Sequence, residues 1–259
     1  MSDVRRIKIR LAYEGTAFHG WERQIGLPTV QGTVEDAVEK VTGETVTVTG
    51  AGRTDAGVSA IGQCAHFPMA GTLPVGDIAR ALNAHLPETV QIRDAAEVDD
   101  SFHARFSAQG KRYVYRIVSG SWQPPRWRSG HYFVRGALNG RAMAEAAAHF
   151  VGTRDFSSVA SLIDGDKRNP VRELKRCAVM EVPADGSEFG SEAPGKLMIV
   201  IEGRSFLYKM VRGITGTLID VGRGQRAADS IPAMLEARDR AEGGATAPPE
   251  GLTLEQVYY

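Results

Sequence analysis

Cysteine is nearly absent: Cys64 and Cys177 are the only two in 259 residues, and neither sits in a paired motif. That excludes a disulfide scaffold and a thiolate-bound structural zinc. No apolar run is long enough to span a bilayer, and Met1-Ser2-Asp3-Val4-Arg5-Arg6-Ile7-Lys8 enters strand-like alternation with no apolar leader. A cytoplasmic protein is expected. Net charge is lacking as well: 31 Lys and Arg balance 31 Asp and Glu, which argues against indiscriminate nucleic-acid binding over the whole surface. With 42% hydrophobic and 24% charged residues, neither disorder nor a fibre is indicated, and the length suits two modest α/β domains or one large one.

One absence is local. Between Ser101 and Ala144 there is no Asp or Glu, while Arg105, Lys111, Arg112, Arg116, Arg126, Arg128, Arg135 and Arg141 all fall inside. Tyr113, Tyr115, Trp122, Trp127, Tyr132 and Phe133 interleave with them, a mixture suited to phosphate contact and base stacking. A second basic cluster follows at Lys167, Arg168, Arg172, Lys175 and Arg176.

Periodicity gives the architecture. Ile7, Ile9, Leu11 and Tyr13 alternate as in a half-buried strand. Val30, Val34, Val38 and Val41 recur at helical spacing between a capping Thr29 and a terminating Gly43. The run Thr45 to Thr49 reads as a strand, Val58 to Phe67 as another, Val75 to Leu86 as a helix, and Val90 with Ile92 as a further strand. The first hundred residues thus read β-α-β-β-α-β, a split βαβ of the ferredoxin or RRM type with a mainly antiparallel sheet. The second half repeats the theme. Strands are expected at Tyr113 to Ile117, Glu173 to Val182 and Lys196 to Glu202, and helices at Arg141 to Phe150 and Phe206 to Val221. Gly213 and Gly216 within the last helix indicate close packing, and Pro183 to Gly195 reads as an exposed loop. The fold class is α+β, divided into 1–106 and 107–259, with a cleft between similar halves as the expected place for a site.

The segment Ala51-Gly52-Arg53-Thr54-Asp55-Ala56-Gly57-Val58 puts one carboxylate among glycines, two residues after an arginine and behind the β-branched run. Two readings stand on this loop alone. It is a turn that Asp55 caps, with Arg53 in a surface ion pair, or it presents an ionised nucleophile.

Other segments weigh on that choice. Phe102-His103-Ala104-Arg105-Phe106-Ser107-Ala108, Lys111-Arg112-Tyr113-Val114-Tyr115, Phe206-Leu207-Tyr208-Lys209-Met210-Val211-Arg212 and Ala247-Pro248-Pro249-Glu250-Gly251-Leu252 follow the Asp55 loop in order, with Tyr13-Glu14-Gly15 and Gly20-Trp21 before it. Together these resemble the tRNA pseudouridine synthase A family from Leu11 almost to the C-terminus. The resemblance implies isomerisation of uridine to pseudouridine at positions 38, 39 and 40 of the tRNA anticodon stem-loop, with no cofactor or metal. It implies one continuous sheet of the pseudouridine-synthase type with a basic central cleft, and a homodimer with tRNA lying across both subunits. Asp55 would be the nucleophile, Tyr113 the active-site tyrosine that stacks on the base, and Arg212 the partner of the aspartate. Arg53 would reach into the RNA, and Arg105, Lys111, Arg126, Arg128 and Arg168 would join Arg53 and Tyr113 in holding substrate. Family members commonly carry His after Ala-Gly-Val, where this chain has Ser59. A non-catalytic RNA-binding protein on the same scaffold has no need of a carboxylate in a basic cleft, and a glycosidase would need a second carboxylate near the motif.

Overall fold

The computed structural model describes residues 4–161, 169–183 and 194–259. The chain forms two compact units, one of Met1–Gln109 with Thr253–Tyr259 and one of Gly110–Leu252.

In the first unit β1 (Arg5–Tyr13) is flanked by two antiparallel neighbours, β3 (Ser59–Met69) and β4 (Val90–Val98). The expected alternation holds: Ile7, Ile9 and Leu11 are wholly buried, and Tyr13 nearly so. Two pieces extend the sheet from β3. The short β2 (Thr49–Gly50) pairs antiparallel beside His66, and β10 (Leu252–Tyr258), from the far end of the chain, runs parallel beside Ser59 and Ala60. Helix α1 (Val30–Thr42) begins where the Thr29 hydroxyl accepts the Gly32 N–H, and stops at Gly43, which takes the left-handed conformation with φ of 74°. Helix α2 (Val75–Asn83) packs along β4.

The expected Thr45 to Thr49 strand is corrected to Thr49–Gly50 alone. The preceding backbone is claimed by side chains of α1. Val48 donates its N–H to Glu35 Oε1 at 2.9 Å, its carbonyl accepts from Gln31 Nε2 at 3.1 Å, and the Thr45 hydroxyl donates to Glu39. β propensity indicated an extended segment, but a strand also needs a free neighbouring edge.

In the second unit β5 (Gly110–Gly120) pairs antiparallel with β9 (Gly195–Gly203), which pairs with β8 (Val171–Val182), which pairs with β7 (Gly152–Asp155). The short β6 (Tyr132–Arg135) lies parallel to the end of β5. Helices α3 (Gly140–Ala148) and α4 (Met210–Gly222) pack on each other, with α5 (Ile231–Ala237) following. Tyr115, Ile117, Phe150, Phe156, Met143, Ile199, Ile201, Ile214 and Leu218 are fully buried and form the core of this unit. An α+β fold with mostly antiparallel strands is therefore observed in both units. Most of the Pro183 to Gly195 stretch lies outside the described residues, as do Lys167 and Arg168.

Cys64 and Cys177 are buried and unpaired, and burial pushes both thiols up, that of Cys177 to about 12, so each serves as a small apolar group. Among the described residues no helix is long and apolar enough to cross a membrane.

Candidate active site

The Asp55 loop is a clamped turn. The Asp55 carbonyl accepts the Val58 N–H at 3.1 Å, with Gly57 between them at φ of 80°. A residue with a Cβ would be strained there. On one side the Thr54 carbonyl accepts the Trp21 N–H at 3.1 Å, and Gly20 approaches so closely that a Cβ on it would lie 2.8 Å from that same oxygen. On the other side Gln63 Nε2 donates to the Gly52 carbonyl at 2.8 Å, and Ala51 donates to the Cys64 carbonyl at 2.7 Å. Beneath the loop the Thr54 and Tyr13 hydroxyls share a hydrogen bond of 2.8 Å. Burial raises the Tyr13 phenol to about 12, against the lowering effect of its bonds to Thr54 and Gln63. Tyr13 therefore stays neutral and acts as a post for the loop.

The backbone around Asp55 is thus held from several directions, and its side chain is half-buried. The point from which the carboxylate leaves the backbone is therefore fixed before anything binds. At Gly50 a Cβ would sit 2.5 Å from the buried Trp21 ring, so the space there is filled by the protein itself. Ser59, standing where a histidine is usual, accepts the Gly15 N–H on its Oγ at 3.0 Å. Its hydroxyl belongs to the scaffolding of this loop.

Arg53 is exposed and ion-paired with Glu22. A pair this exposed contributes at most about 1 kcal/mol, so it yields readily to a phosphate. Arg105 is exposed on the turn that follows β4.

The second unit carries the other named residues. Lys111 and Tyr113 lie on β5, and Tyr113 is buried with its ring edge-to-face against Phe206 at 5.1 Å and 83°. Arg212 stands in the first turn of α4 and is half-buried. Its Nε donates to the Ala247 carbonyl at 2.7 Å, and its own carbonyl accepts the Ala247 N–H at 3.0 Å. The adjacent Pro248 carbonyl accepts from the Tyr115 hydroxyl at 2.8 Å, so the Pro-Pro loop links β5 to the base of α4. Burial, then Glu250 and Tyr132, push the Tyr115 phenol far up, with Arg212 opposing; it is a structural donor.

Arg126 and Arg128 occupy an exposed helical turn, Pro125–Trp127 and its C-cap. The Trp127 ring carries Lys196 Nζ at 3.6 Å from its centre and the Arg126 guanidinium at 6.0 Å. Arg112 is drawn out of the basic run by Glu202, 2.8 Å away on β9. Arg168 lies outside the described residues.

Four supporting residues escaped the sequence reading of the site. Phe206, Gly20 and Tyr13 lay in quoted motifs, so their positions were visible but their contacts were not. Gln63 had no local signal, because its partner Gly52 is brought to it only by the fold.

His66 gives a testable consequence on the same strand. It is 8% exposed, its Nδ1 accepts the Ala104 N–H at 3.2 Å, and burial lowers its pKa, with His103 and Arg6 adding to the effect. The folded protein therefore keeps His66 neutral, while the unfolded chain takes up a proton near pH 6.5. Stability from this site is present above that pH and drains away as pH falls from about 6.5 towards the lower folded value. Melting temperatures between pH 7.5 and 5 should fall on the acid side. The fall should be smaller in His66→Asn, whose Oδ1 takes the same N–H without titrating; equal slopes would remove His66 as the cause.

The whole chain has known counterparts. The profile of the tRNA pseudouridine synthase family matches residues 10–107 and 146–259. Asp55, Arg53, Arg105 and Arg212 fall within the matched stretches, and Lys111, Tyr113, Arg126 and Arg128 lie between them. Full-length relatives span that gap. The tRNA pseudouridine synthase A of Acetivibrio thermocellus is 40% identical over 257 residues, covering 99% of this chain and 100% of that protein. Those of Myxococcus xanthus and Paramagnetospirillum magneticum are 40% and 41% identical, covering 98% of this chain and 92% and 95% of their own lengths. With the carboxylate loop intact inside the matched region and similarity running from end to end, the chain belongs to the tRNA pseudouridine synthase family.

Proposed function

We propose that the chain isomerises uridines 38, 39 and 40 in the anticodon stem-loop of tRNA, with Asp55 as nucleophile and without a cofactor. The observation that carries this reading is the clamped, half-buried Asp55 turn in a chain of this family. The bond from C1′ to N1 of uracil breaks, the base turns, and a bond from C1′ to C5 forms. The proton on C5 then leaves to solvent and N1, freed from the sugar, takes one up, so the product is an isomer of the substrate. A carboxylate supports this by attacking the sugar, attacking the ring, or acting through a glycal.

In this reading Arg212 supplies the counter-charge for Asp55, and its anchoring to Ala247 fixes where that charge stands. Tyr113, steadied by Phe206, offers a face for the base and a phenol near the departing C5 proton. Arg53 exchanges Glu22 for RNA as the target base leaves the stem, a step costing a few kcal/mol. Arg105, Lys111, Arg126, Arg128 and Arg168 offset that cost along the backbone. A homodimer would let a neutral chain offer a continuous basic surface, and the cytoplasm is its expected place of work.

The test is tritium release from tRNA transcripts labelled at uridine C5, with transcripts lacking uridine at 38, 39 or 40 assigning the positions. Release that depends on those positions is expected. Release that persists when all three are replaced would move the target elsewhere, and no release from any tRNA would end the reading.

A further inference from the structure

We infer that the turn Phe102–Ser107 is a built platform for an unpaired nucleotide of tRNA, with the base stacked on Phe106 and the neighbouring phosphate on Arg105. The inference rests on the reading of tRNA as substrate and adds a contact away from the Asp55 loop.

Phe106 is 76% exposed. A single exposed apolar side chain is ordinary, but this one is held and furnished. The His103 ring lies against it at 4.3 Å and 36°, and His66 meets His103 edge-on from behind at 4.9 Å and 60°. The Arg105 guanidinium stands 5.7 Å from the Phe106 ring. An aromatic face backed by an imidazole and flanked by a cation matches a nucleobase and its phosphate.

The turn is also rigid. His103 Nδ1 accepts the backbone N–H groups of both Arg105 and Phe106, at 3.2 and 3.3 Å, so one imidazole holds the backbone from which both side chains leave. Ser107 Oγ accepts the His103 N–H and the His103 carbonyl accepts the Ser107 N–H, at 3.0 and 2.8 Å. Ala104, fully buried at the centre, donates to His66 and accepts from the Tyr259 hydroxyl at 2.6 Å. The Phe102 carbonyl accepts from Arg6 at 2.7 Å. A platform already fixed in place loses little freedom when a base lands on it. The turn also lies within the acid-free stretch, which suits a polyanion better than an acidic or neutral peptide.

The experiment measures tRNA affinity of full-length protein carrying Asp55→Asn, so that binding is read without turnover. Phe106→Ala and Phe106→Leu should each raise the Kd by about 10- to 100-fold, and Phe106→Trp should restore it, since stacking needs a planar ring. Arg105→Gln should make the plot of log affinity against log salt shallower by about one. Heparin, a polyanion without bases, should bind the Phe106 variants as it binds the parent. In the active protein the loss should appear in KM rather than kcat, and the melting temperature should not move, because the side chain touches no core.

Wild-type affinity in Phe106→Ala would overturn the platform, as would rescue by Leu equal to that by Trp, or heparin affinity falling in parallel. If the wild-type chain releases no tritium yet the Phe106 series behaves as stated, the platform stands and the proposed reaction fails. If tritium is released normally and the Phe106 series is flat, the reverse holds.

Discussion

Asp55→Asn is expected to reduce tritium release from uridine C5 by about 10³-fold or more, while tRNA binding and melting temperature stay near those of the parent. The size of the loss follows from what asparagine lacks: it has the shape of aspartate but cannot form or stabilise the covalent or ionic partner that the broken glycosidic bond requires. The lack of effect on stability follows from how the loop is built. The Val58 N–H bonds the backbone carbonyl of Asp55, and Trp21, Gln63 and the pair Thr54–Tyr13 hold the backbone on either side, so the loop keeps these bonds when the side chain is replaced by an isostere that retains one carbonyl oxygen. A half-exposed isosteric change of this kind normally moves stability by less than about 0.5 kcal/mol. Removing a negative charge also gives a polyanion no reason to bind more weakly. Asp55→Glu separates charge from placement: it keeps the carboxylate but shifts it by about one bond length, for which a loss on the order of 10²-fold is expected. Turnover in Asp55→Asn within tenfold of the parent would take Asp55 out of the reaction, whatever its place in the loop.

What the sequence made legible follows the reach of each signal. Strands such as β1 and helices such as α1 came through because their side-chain period and caps are local: Thr29 and Gly43 bracket α1 in the sequence as they do in space. The helix expected from Phe206 starts only at Met210, because Lys209 takes the left-handed conformation with φ of 57° and breaks the helical run before it. Elements of four to seven residues, β6, β7 and α5, were not read, since so few residues give no period to count. The Thr45 to Thr49 segment failed for another reason. Its β-branched residues suit a strand, but Glu35 and Gln31, more than ten residues earlier, take the hydrogen bonds a strand partner would have used. The return of β10 to pair with β3 cannot be read from its own residues at all. For the site, the motif order singled out Asp55, Tyr113 and Arg212 as candidates. It did not show that Arg53 pairs with Glu22, that Phe206 steadies Tyr113, or that Ala247 anchors Arg212, because those contacts arise only once distant segments are packed.

The second large effect is expected at Gly216, on the face of α4 that meets the Ala245–Ala247 segment. Propensity alone says Gly216→Ala should stabilise a helix interior by about 1 kcal/mol. Packing says the opposite. A Cβ at Gly216 would lie 1.6 Å from the Ala245 carbonyl oxygen and 2.8 Å from its carbon, backbone atoms that cannot swing aside as a side chain would. Gly213, one turn earlier, meets the Val159 carbonyl oxygen in the same way at 1.9 Å, so α4 is gripped from two sides and cannot slide to relieve the clash. The neighbouring loop is tied to the helix as well: Gly244 donates to the Thr217 hydroxyl at 2.9 Å, and Ala247 exchanges hydrogen bonds with Arg212. Forced separation therefore strains these bonds together, and overpacking of this kind costs about 1–3 kcal/mol net of any gain. For a chain of this length that is a melting temperature lower by several degrees. Because Ala247 holds Arg212, a displacement of about 1 Å carries the guanidinium with it, and turnover should fall on the order of 10²-fold even at temperatures where the variant is folded. Gly76→Ala is the control. It lies in the first turn of α2 with nothing within 4 Å of the added Cβ, so there the propensity term acts alone and stability should rise by about 0.4–1 kcal/mol. If Gly216→Ala instead melts as high as Gly76→Ala and keeps its turnover, α4 does not sit against Ala245 as closely as described, and the anchoring of Arg212 through Ala247 loses its structural basis.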